Sequence, residues 1–330
     1  MAKSSGNQTT LGKAFEYACV KALYEKYKDV QNVVIEDTPQ MRTAKNYYKN
    51  AGNKQNDLSE GALAAVRAID RLEPRLKYPD MDIPLVLSVQ PDSAGIAGDV
   101  RDVLCIRKGH RWEIGLSCKH NHYAVKHSRL SDKIDFGKEW FGHPCSRQYF
   151  DEVVPKFTEL RILRDDSKKA GNPALWSDLS DKMGDYYEPI LQSFMDELSR
   201  LSETYSDVPE KLIEYLIGRY DFYKVVTNDA RRITRIEAIN IAGTLNSASE
   251  GHKPITTVPV LKKPSKFYHI GFKEENGVKS QNTIHVVCDN GWEISMRLHN
   301  ASSRIEPSLK FDVQLISFPS SLFAQVEPWD

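Results

Sequence analysis

The sequence predicts an α/β protein: a mixed central sheet flanked by helices, then a helical middle region and a β-rich C-terminal subdomain. Three patterns carry that prediction. Helical stripes alternate with short apolar runs through roughly the first 120 residues. Long helical periodicity fills the middle, from about 146 to 220. From about residue 230 the pattern changes to period-two alternation broken by turn residues. No internal repeat, low-complexity tract or Gly/Pro/Ser linker interrupts the chain, so the expected organisation is a body over 1–230 with a helical insertion and a β-rich subdomain over 231–330.

The elements follow in order. Residues 11–28 come after Thr9-Thr10 and place Leu11, Phe15, Ala18, Cys19, Ala22 and Leu23 in one stripe, which predicts an amphipathic helix. Residues 32–36 (Asn-Val-Val-Ile-Glu) read as a short strand. A second helix is expected over Asp57–Leu72, with Leu63, Val66, Ile69 and Leu72 inward and Asp57 or Ser59 as its N-cap. Leu85–Gln90 reads as a strand. Two more strands, about 100–107 and 112–119, are joined by the tight turn Lys108-Gly109-His110. Helices are then expected over about 146–164, 176–204 (with a break at Gly184 or Pro189) and 208–220. The last third alternates as strands do in 258–261, 267–272, 283–287, 292–298 and 309–316. Turn chemistry separates several of them: Glu274-Glu275-Asn276-Gly277, Asp289-Asn290-Gly291 and Pro307-Ser308.

Bulk composition excludes several classes. The 330 residues contain no run approaching the ~20 apolar residues that span a bilayer, and the polar start has no apolar signal region behind it. A soluble, cytoplasmic protein without a membrane partner is expected. Cys19, Cys105, Cys118, Cys145 and Cys288 are odd in number and never form a C-x-x-C pair, which fits a reducing compartment and argues against structural zinc. Net charge is zero, so global charge announces no polyanion. Its distribution does: residues 101–130 hold seven Lys/Arg against two acids, together with four histidines. The competing reading of such a patch is a solvated hairpin face.

Chemistry concentrates on the 100–119 hairpin. Side chains alternate along a strand, so Ser117 and Lys119 share a face and Cys118 points away. If Val100, Asp102 and Leu104 meet that face, Asp102 and Lys119 converge on one phosphate, and the main-chain carbonyl of Cys118 adds an oxygen ligand. An acid binding a hard cation and a lysine placing water or steadying phosphate charge are the minimum of a metal-dependent phosphodiesterase. Acids and lysines inside apolar strands need partners or a function. Ser117 stands where a second acid would be most convenient. Glu113 shares its side but lies about 13 Å away at ~3.3 Å per residue. Asp99 faces away from Asp102. Glu16, at the margin of the first helix's apolar stripe, is the better candidate, although a boundary glutamate without a site role is the plain alternative.

These residues resemble a known family. Gly98-Asp99-Val100-Arg101-Asp102-Val103-Leu104, followed by Glu113-Ile114-Gly115-Leu116-Ser117-Cys118-Lys119, resembles the PD-(D/E)xK nuclease core. Gly12-Lys13-Ala14-Phe15-Glu16 resembles its first helix, where several branches carry a metal-binding glutamate. The run from Lys119 to Ser131, and Arg297-Leu298-His299-Asn300-Ala301-Ser302-Ser303 with the segment 306–313, narrow the resemblance to type II restriction endonucleases of the HaeIII group. Two departures stand out: Arg101 where proline often precedes the first acid, and Ser117 in place of the second.

The resemblance implies a restriction-endonuclease-like core over 1–230 and a DNA-recognition subdomain over 231–330. It implies Mg²⁺-dependent cleavage of double-stranded DNA at a short palindromic GC-rich site, GGCC in that group, in a bacterial cytoplasm. Asp102 and Glu16 become metal ligands with the Cys118 carbonyl, and Lys119 orients or activates water near Ser117. A lysine beside a cation and under apolar cover is expected to have its charged form disfavoured. A palindromic target favours a homodimer. A cognate DNA methyltransferase acts on the same site without any stable complex being implied. Lys126 and Arg129 are expected to clamp phosphate, with His120 and His122 nearby. Arg297, His299, Asn300, Arg304 and Lys310 are offered to the bases. The plain alternative for Asn300 and Ser302 is that they close a turn.

Other readings compete. His120-Asn121-His122 spells HNH, but that nuclease motif is spread over a ββα unit. Pro144-Cys145-Ser146 resembles a methyltransferase nucleophile, without the glycine-rich turn of a cofactor fold. A non-catalytic sequence-specific DNA-binding protein on the same fold is the main alternative.

Overall fold

The computed structural model describes residues 4–77, 83–91, 93–96, 98–121, 128–249 and 252–330. In chain order its elements begin with α1 (Ser4–Tyr27), β1 (Val33–Ile35), α2 (Pro39–Lys49), α3 (Lys54–Leu72), β2 (Leu85–Val89), the single turn α4 (Ser93–Ile96), β3 (Val103–Arg107) and β4 (Trp112–His120). Next come β5 (Arg129–Leu130), α5 (Arg147–Lys169), α6 (Glu188–Thr204), α7 (Val208–Ile217), β6 (Phe222–Asn228) and β7 (Ile233–Ile239). The chain ends with β8 (Phe267–Glu275), β9 (Val278–Cys288), β10 (Glu293–His299), β11 (Leu309–Ser317) and β12 (Phe323–Pro328). Among the described residues no helix is long and apolar enough to cross a membrane.

The chain forms two compact units, each assembled from separated stretches. The first comprises Met1–Tyr123, Gly218–Leu261 and Ser321–Asp330, the second Ala124–Ile217 and Lys262–Ser320. The expected mixed α/β architecture holds. Residue 230 lies in the Asp229–Arg231 turn between β6 and β7, so the sheet of the first unit runs across the expected 230/231 division.

The first unit is built on a seven-stranded mixed sheet in the order β1-β2-β3-β4-β6-β7-β12. Strands β2, β3 and β4 form an antiparallel meander, and β6 then lies parallel to β4. The stripe expected on α1 packs inward: Phe15, Ala18, Cys19, Ala22 and Leu23 are all buried against Leu116, Cys118 and Val103. Each large apolar side chain so buried contributes roughly 1.5–3 kcal/mol. On α3 the buried stripe is Leu58, Ala62, Ala65, Val66, Ile69 and Leu72, whereas Leu63, expected inward, is 44% exposed. The stretch 258–261 is not a strand. Pro259 has no N–H to donate, and the segment is tied down by amide side chains instead: Asn240 Nδ2 donates to Val258 O and Val258 N donates to Asn246 Oδ1.

Glu73 closes α3 in the interior of this unit. Its Oε1 accepts from Tyr223 Oη (2.7 Å) and Asn246 N (2.6 Å), while Oε2 is buried without a hydrogen bond. Burial pushes its carboxyl up to about 7 from an ordinary 4.5, against the lowering effect of those two donors. A folded-state value above the unfolded one means the folded state holds its proton more tightly. The stability this gives is present below about pH 4.5, declines through the window up to about 7, and is gone above it. Glu73→Gln removes the titration. Its stability relative to wild type should therefore climb between pH 4.5 and 7 by roughly 3 kcal/mol, at ~1.36 kcal/mol per unit. Melting curves at several pH values check this, and a pH-independent offset would refute it.

The second unit carries a five-stranded sheet, β5-β11-β10-β9-β8, whose pairings are all antiparallel. One face is apolar, with Leu309, Phe311, Val313, Ile294, Met296 and Leu298 buried. It continues into an aromatic cluster in which Phe194 meets Phe136 and Phe311 at centroid distances of 4.6 and 5.1 Å. Alternation puts Arg297, His299, Lys310, Asp312 and Gln314 on the opposite, polar face. The helix expected over 176–204 is divided: a single turn at Trp176–Asp178 stands apart, and the helical run resumes at Met183.

Candidate active site

The meander positions the central residues. Strands β3 and β4 pair Val103 with Leu116, so Asp102, one residue before β3, stands opposite Ser117. Its carboxylate oxygen Oδ2 accepts from Cys118 N (2.7 Å), Lys119 Nζ (3.3 Å) and Ser117 Oγ (3.4 Å). The carboxylate is thus pinned at the point where the two strands part, with Oδ1 outside these three bonds. The Cys118 side chain points the other way, its sulfur 3.8 Å from that of Cys19 on α1.

Glu16 belongs to the same site. It is 5% exposed, holds Lys13 at 3.1 Å, and is near enough to Asp102 and Lys119 for both charges to act on it. Burial first, and then the Asp102 charge, push its carboxyl up to about 8, with Lys13 and Lys119 opposing. A buried carboxyl whose proton affinity is raised by a neighbouring carboxylate is a frequent sign of a place for a cation. Among the described residues no cluster of three or more His, Cys, Asp or Glu converges on one point. Two carboxylates, with main-chain oxygen beside them, could serve a hard cation that keeps several waters and binds through one or two carboxylates.

Lys119 differs from expectation. Burial disfavours its ammonium, but the Asp102 charge, with Cys118 and Glu16, outweighs burial and holds it above the usual lysine value. With its charged form favoured, Lys119 is suited to stabilising negative charge rather than to accepting a proton.

The alternative second acids are committed elsewhere. Arg101, 6% exposed, makes two side-chain bonds to Asp99 (2.7 and 2.8 Å) and one to Glu113 (2.8 Å). Its guanidinium also stacks 4.2 Å over the Tyr220 ring. Arg107 is buried too, held by the main-chain oxygens of Arg75, Leu76 and Ile83 and by Gln31. The basic patch read along 101–130 is therefore not one surface, because two of its arginines are internal braces.

His120 alternates to the side opposite Lys119. It is 6% exposed, with Nε2 3.1 Å from both Asp229 oxygens, and Lys54 of α3 also binds Asp229. Asn121 adopts a positive φ of 52° and accepts from Asp229 N. The His-Asn-His triplet is thus no metal motif up to Asn121. His122 and Lys126 lie outside the described residues. Cys145 takes the Gly137 N–H on its sulfur, and burial raises its thiol far above the usual range, which removes it as a nucleophile.

A pair missed from sequence lies next to the site. In register, Ser117 pairs with Lys224 of β6, and Lys224 pairs with Glu237 of β7. Both are buried, at 8% and 4% exposed, and Lys224 Nζ lies 3.7 Å from Glu237 Oε2. Burial, and the Lys119 charge beside it, lower the proton affinity of Lys224 against the opposing Glu237.

In the second unit, β5, β11 and β10 align Arg129, Lys310 and His299 as one cross-strand row. Arg129 is exposed and donates to Ser308 Oγ (3.0 Å), and exposed Arg297 reaches Asp312 (3.2 Å). Arg304 is exposed beside the Leu175 bridge. Asn300 closes a turn, accepting from Tyr187 Oη and donating to Ser302 O, which is the plain reading of that residue.

An acid, a lysine and a helix-borne glutamate gathered beside a mixed sheet are the parts of a phosphodiester-cleaving hydrolase. Comparison with known proteins makes this specific. The HaeIII restriction endonuclease family matches residues 12–319, and the chain belongs to that family. It is 39% identical over 321 residues to "Type II restriction enzyme HaeIII" of Haemophilus aegyptius, with 97% of each chain covered. No solved structure matches the chain. The protein is a type II site-specific deoxyribonuclease with DNA as its partner, an enzyme rather than a non-catalytic binder. Type II restriction enzymes generally depend on a divalent metal.

Proposed function

We propose that the protein hydrolyses both strands of duplex DNA at GGCC with Mg²⁺, using a PD-(D/E)xK-type centre of Asp102, Glu16 and Lys119. The observation that carries this reading is the three-donor clamp on Asp102, which fixes one carboxylate against Lys119 while the Glu16 carboxyl stands close by. Asp102, Glu16 and the Cys118 carbonyl would hold the ion. When bound, Mg²⁺ supplies positive charge to the phosphate oxygens and makes water more acidic. Lys119 holds its ammonium against the scissile phosphate and orients the attacking water. The Ser117 hydroxyl, 3.4 Å from Asp102, steadies that carboxylate.

Base reading falls to the polar face of the five-stranded sheet, where Arg297 and Lys310 suit guanine O6 and N7. A groove of about 600 Å³ on that face is lined by Arg297, Asp312, Thr283 and Lys279 among others. His299 donates from Nδ1 to Asn300 O, which leaves Nε2 for a base or phosphate. Arg129 and Arg304 suit phosphates. A homodimer matches a palindromic target. A methyltransferase of the same specificity would protect host DNA in a bacterial cytoplasm.

Purified protein incubated with plasmid tests the reading. Discrete fragments at GGCC are expected with Mg²⁺, none with EDTA, and none from a plasmid whose GGCC sites are removed. Cutting that ignores GGCC, or that persists in EDTA, would overturn the assignment.

A further inference from the structure

We propose that Lys224 is a further catalytic residue: a second fixed ammonium that contacts the scissile phosphate alongside Lys119. This inference rests on the reading of Asp102 and Lys119 as the hydrolytic centre. The sheet register carries it. Asp102, just before β3, stands opposite Ser117, Ser117 pairs with Lys224, and Lys224 pairs with Glu237, so one row running from that residue through β4, β6 and β7 carries acid, serine, lysine and acid on one face. Ser117 occupies the place where a second acid would hold a second cation. The residue in register beside it is a lysine, which delivers positive charge to the same place without a metal ligand.

The surroundings argue for an anionic visitor. Lys119 and Lys224 are close enough for one charge to act on the other, and both are largely withdrawn from water. Like charges held together at low dielectric repel, and such arrangements cluster where a ligand of opposite charge arrives. The carboxylates do not cancel them symmetrically. Asp102 is engaged by Lys119, and Glu237, 3.7 Å from Lys224, is gripped more tightly by Arg235 at 2.7 Å. A non-bridging phosphate oxygen between the two ammonium groups would relieve the repulsion and take charge stabilisation from both.

The test is a cycle between protein and DNA, read by binding in EDTA so that no metal and no cleavage enter. A duplex containing GGCC is compared with the same duplex bearing a neutral methylphosphonate at the scissile linkage. Wild-type protein should bind the neutral duplex about tenfold more weakly, the order expected for one charge-assisted contact. Lys224→Met should lose most of that discrimination, as should Lys119→Ala, and its single-turnover cleavage with Mg²⁺ should fall by about 100-fold or more. The Lys224→Met/Glu237→Leu double variant, which removes both charges of the pair, covers the case in which the single variant folds poorly. It should melt near wild type and still fail to discriminate. If Lys224 only balances Glu237, the double variant regains discrimination and cleavage, and the proposal falls. If Lys119→Ala loses discrimination while Lys224→Met keeps it, Lys224 is excluded and the centre stands. If wild type shows no discrimination and Lys119→Ala cuts normally, the centre itself is misassigned and the proposal falls with it.

Discussion

Lys119→Ala should abolish site-specific cleavage, and Asp102→Asn should do the same while shifting DNA binding in the opposite direction. The Lys119 ammonium is 3.3 Å from Asp102 and is held in its charged form by that neighbour. Removing one group that stabilises transition-state charge costs on the order of 10²–10³-fold, about 3–4 kcal/mol. Asp102→Asn is nearly isosteric and can still accept from Cys118 N through its amide oxygen, so the strand ends stay in place. What it loses is the negative charge. In EDTA, Lys119→Ala should therefore bind duplex DNA more weakly, whereas Asp102→Asn, with one repulsive charge removed from beside the phosphate, should bind as well or better. Glu16→Gln should also fail to cut. Burial and the Asp102 charge push the Glu16 carboxyl up to about 8, so without metal it carries little charge at neutral pH and the change should leave binding in EDTA close to wild type. Single-turnover cleavage and fluorescence-anisotropy titrations read the two effects separately. Near-wild-type cutting by either Lys119→Ala or Asp102→Asn would exclude the assigned centre.

The parts of this site that were legible in the sequence were local. Two strands with an acid, a lysine and a tight turn declare themselves by alternation, and the structure brings Asp102 and Lys119 together as that alternation requires. Glu16 was legible because a helical stripe fixes which residues lie at its margin. Lys224 was not legible. Strand β6 is buried at six of its seven positions, so it shows no period-two alternation, and the lysine at its third position breaks what remains of an apolar run. The cross-strand row also depends on parallel pairing between residues more than 100 positions apart, and no local pattern encodes that register. The arginines failed for a related reason. Composition along 101–130 reads as a basic surface, yet Arg101 and Arg107 are internal, and only their partners Asp99, Glu113 and the surrounding carbonyls reveal it. Helix α2 was missed because only Met41, Ala44 and Tyr48 of its eleven residues are buried, too sparse a stripe to stand out.

Gly115→Ala should be among the most damaging single changes in the first unit. An alanine Cβ there would lie 2.1 Å from Arg101 Cδ, 2.5 Å from Cγ and 2.7 Å from Cβ, so the arginine stem must move. That stem is not a loose surface chain. Its head is fixed by Asp99, Glu113 and the Tyr220 ring, and Asp99 is kept below its ordinary carboxyl value because the Arg101 and Gln90 bonds outweigh its burial. Displacing the arginine loosens a mostly buried charge network, with an expected loss of about 2–4 kcal/mol. The consequence reaches the chemistry, since Arg101 immediately precedes Asp102. A shift of about 1 Å in a positioned group can cost roughly 100-fold in rate, so Gly115→Ala should cut slowly even where it remains folded. A double-mutant cycle identifies the cause. Arg101→Ala alone should cost about 3–5 kcal/mol by stranding Asp99. With Cγ and Cδ gone only the Arg101 Cβ contact at 2.7 Å remains, so Gly115→Ala should cost less than it does in wild type, giving a coupling of about 1–2 kcal/mol between the two positions. Losses that simply add in chemical denaturation would show that the close approach of Arg101 is not what requires glycine at 115.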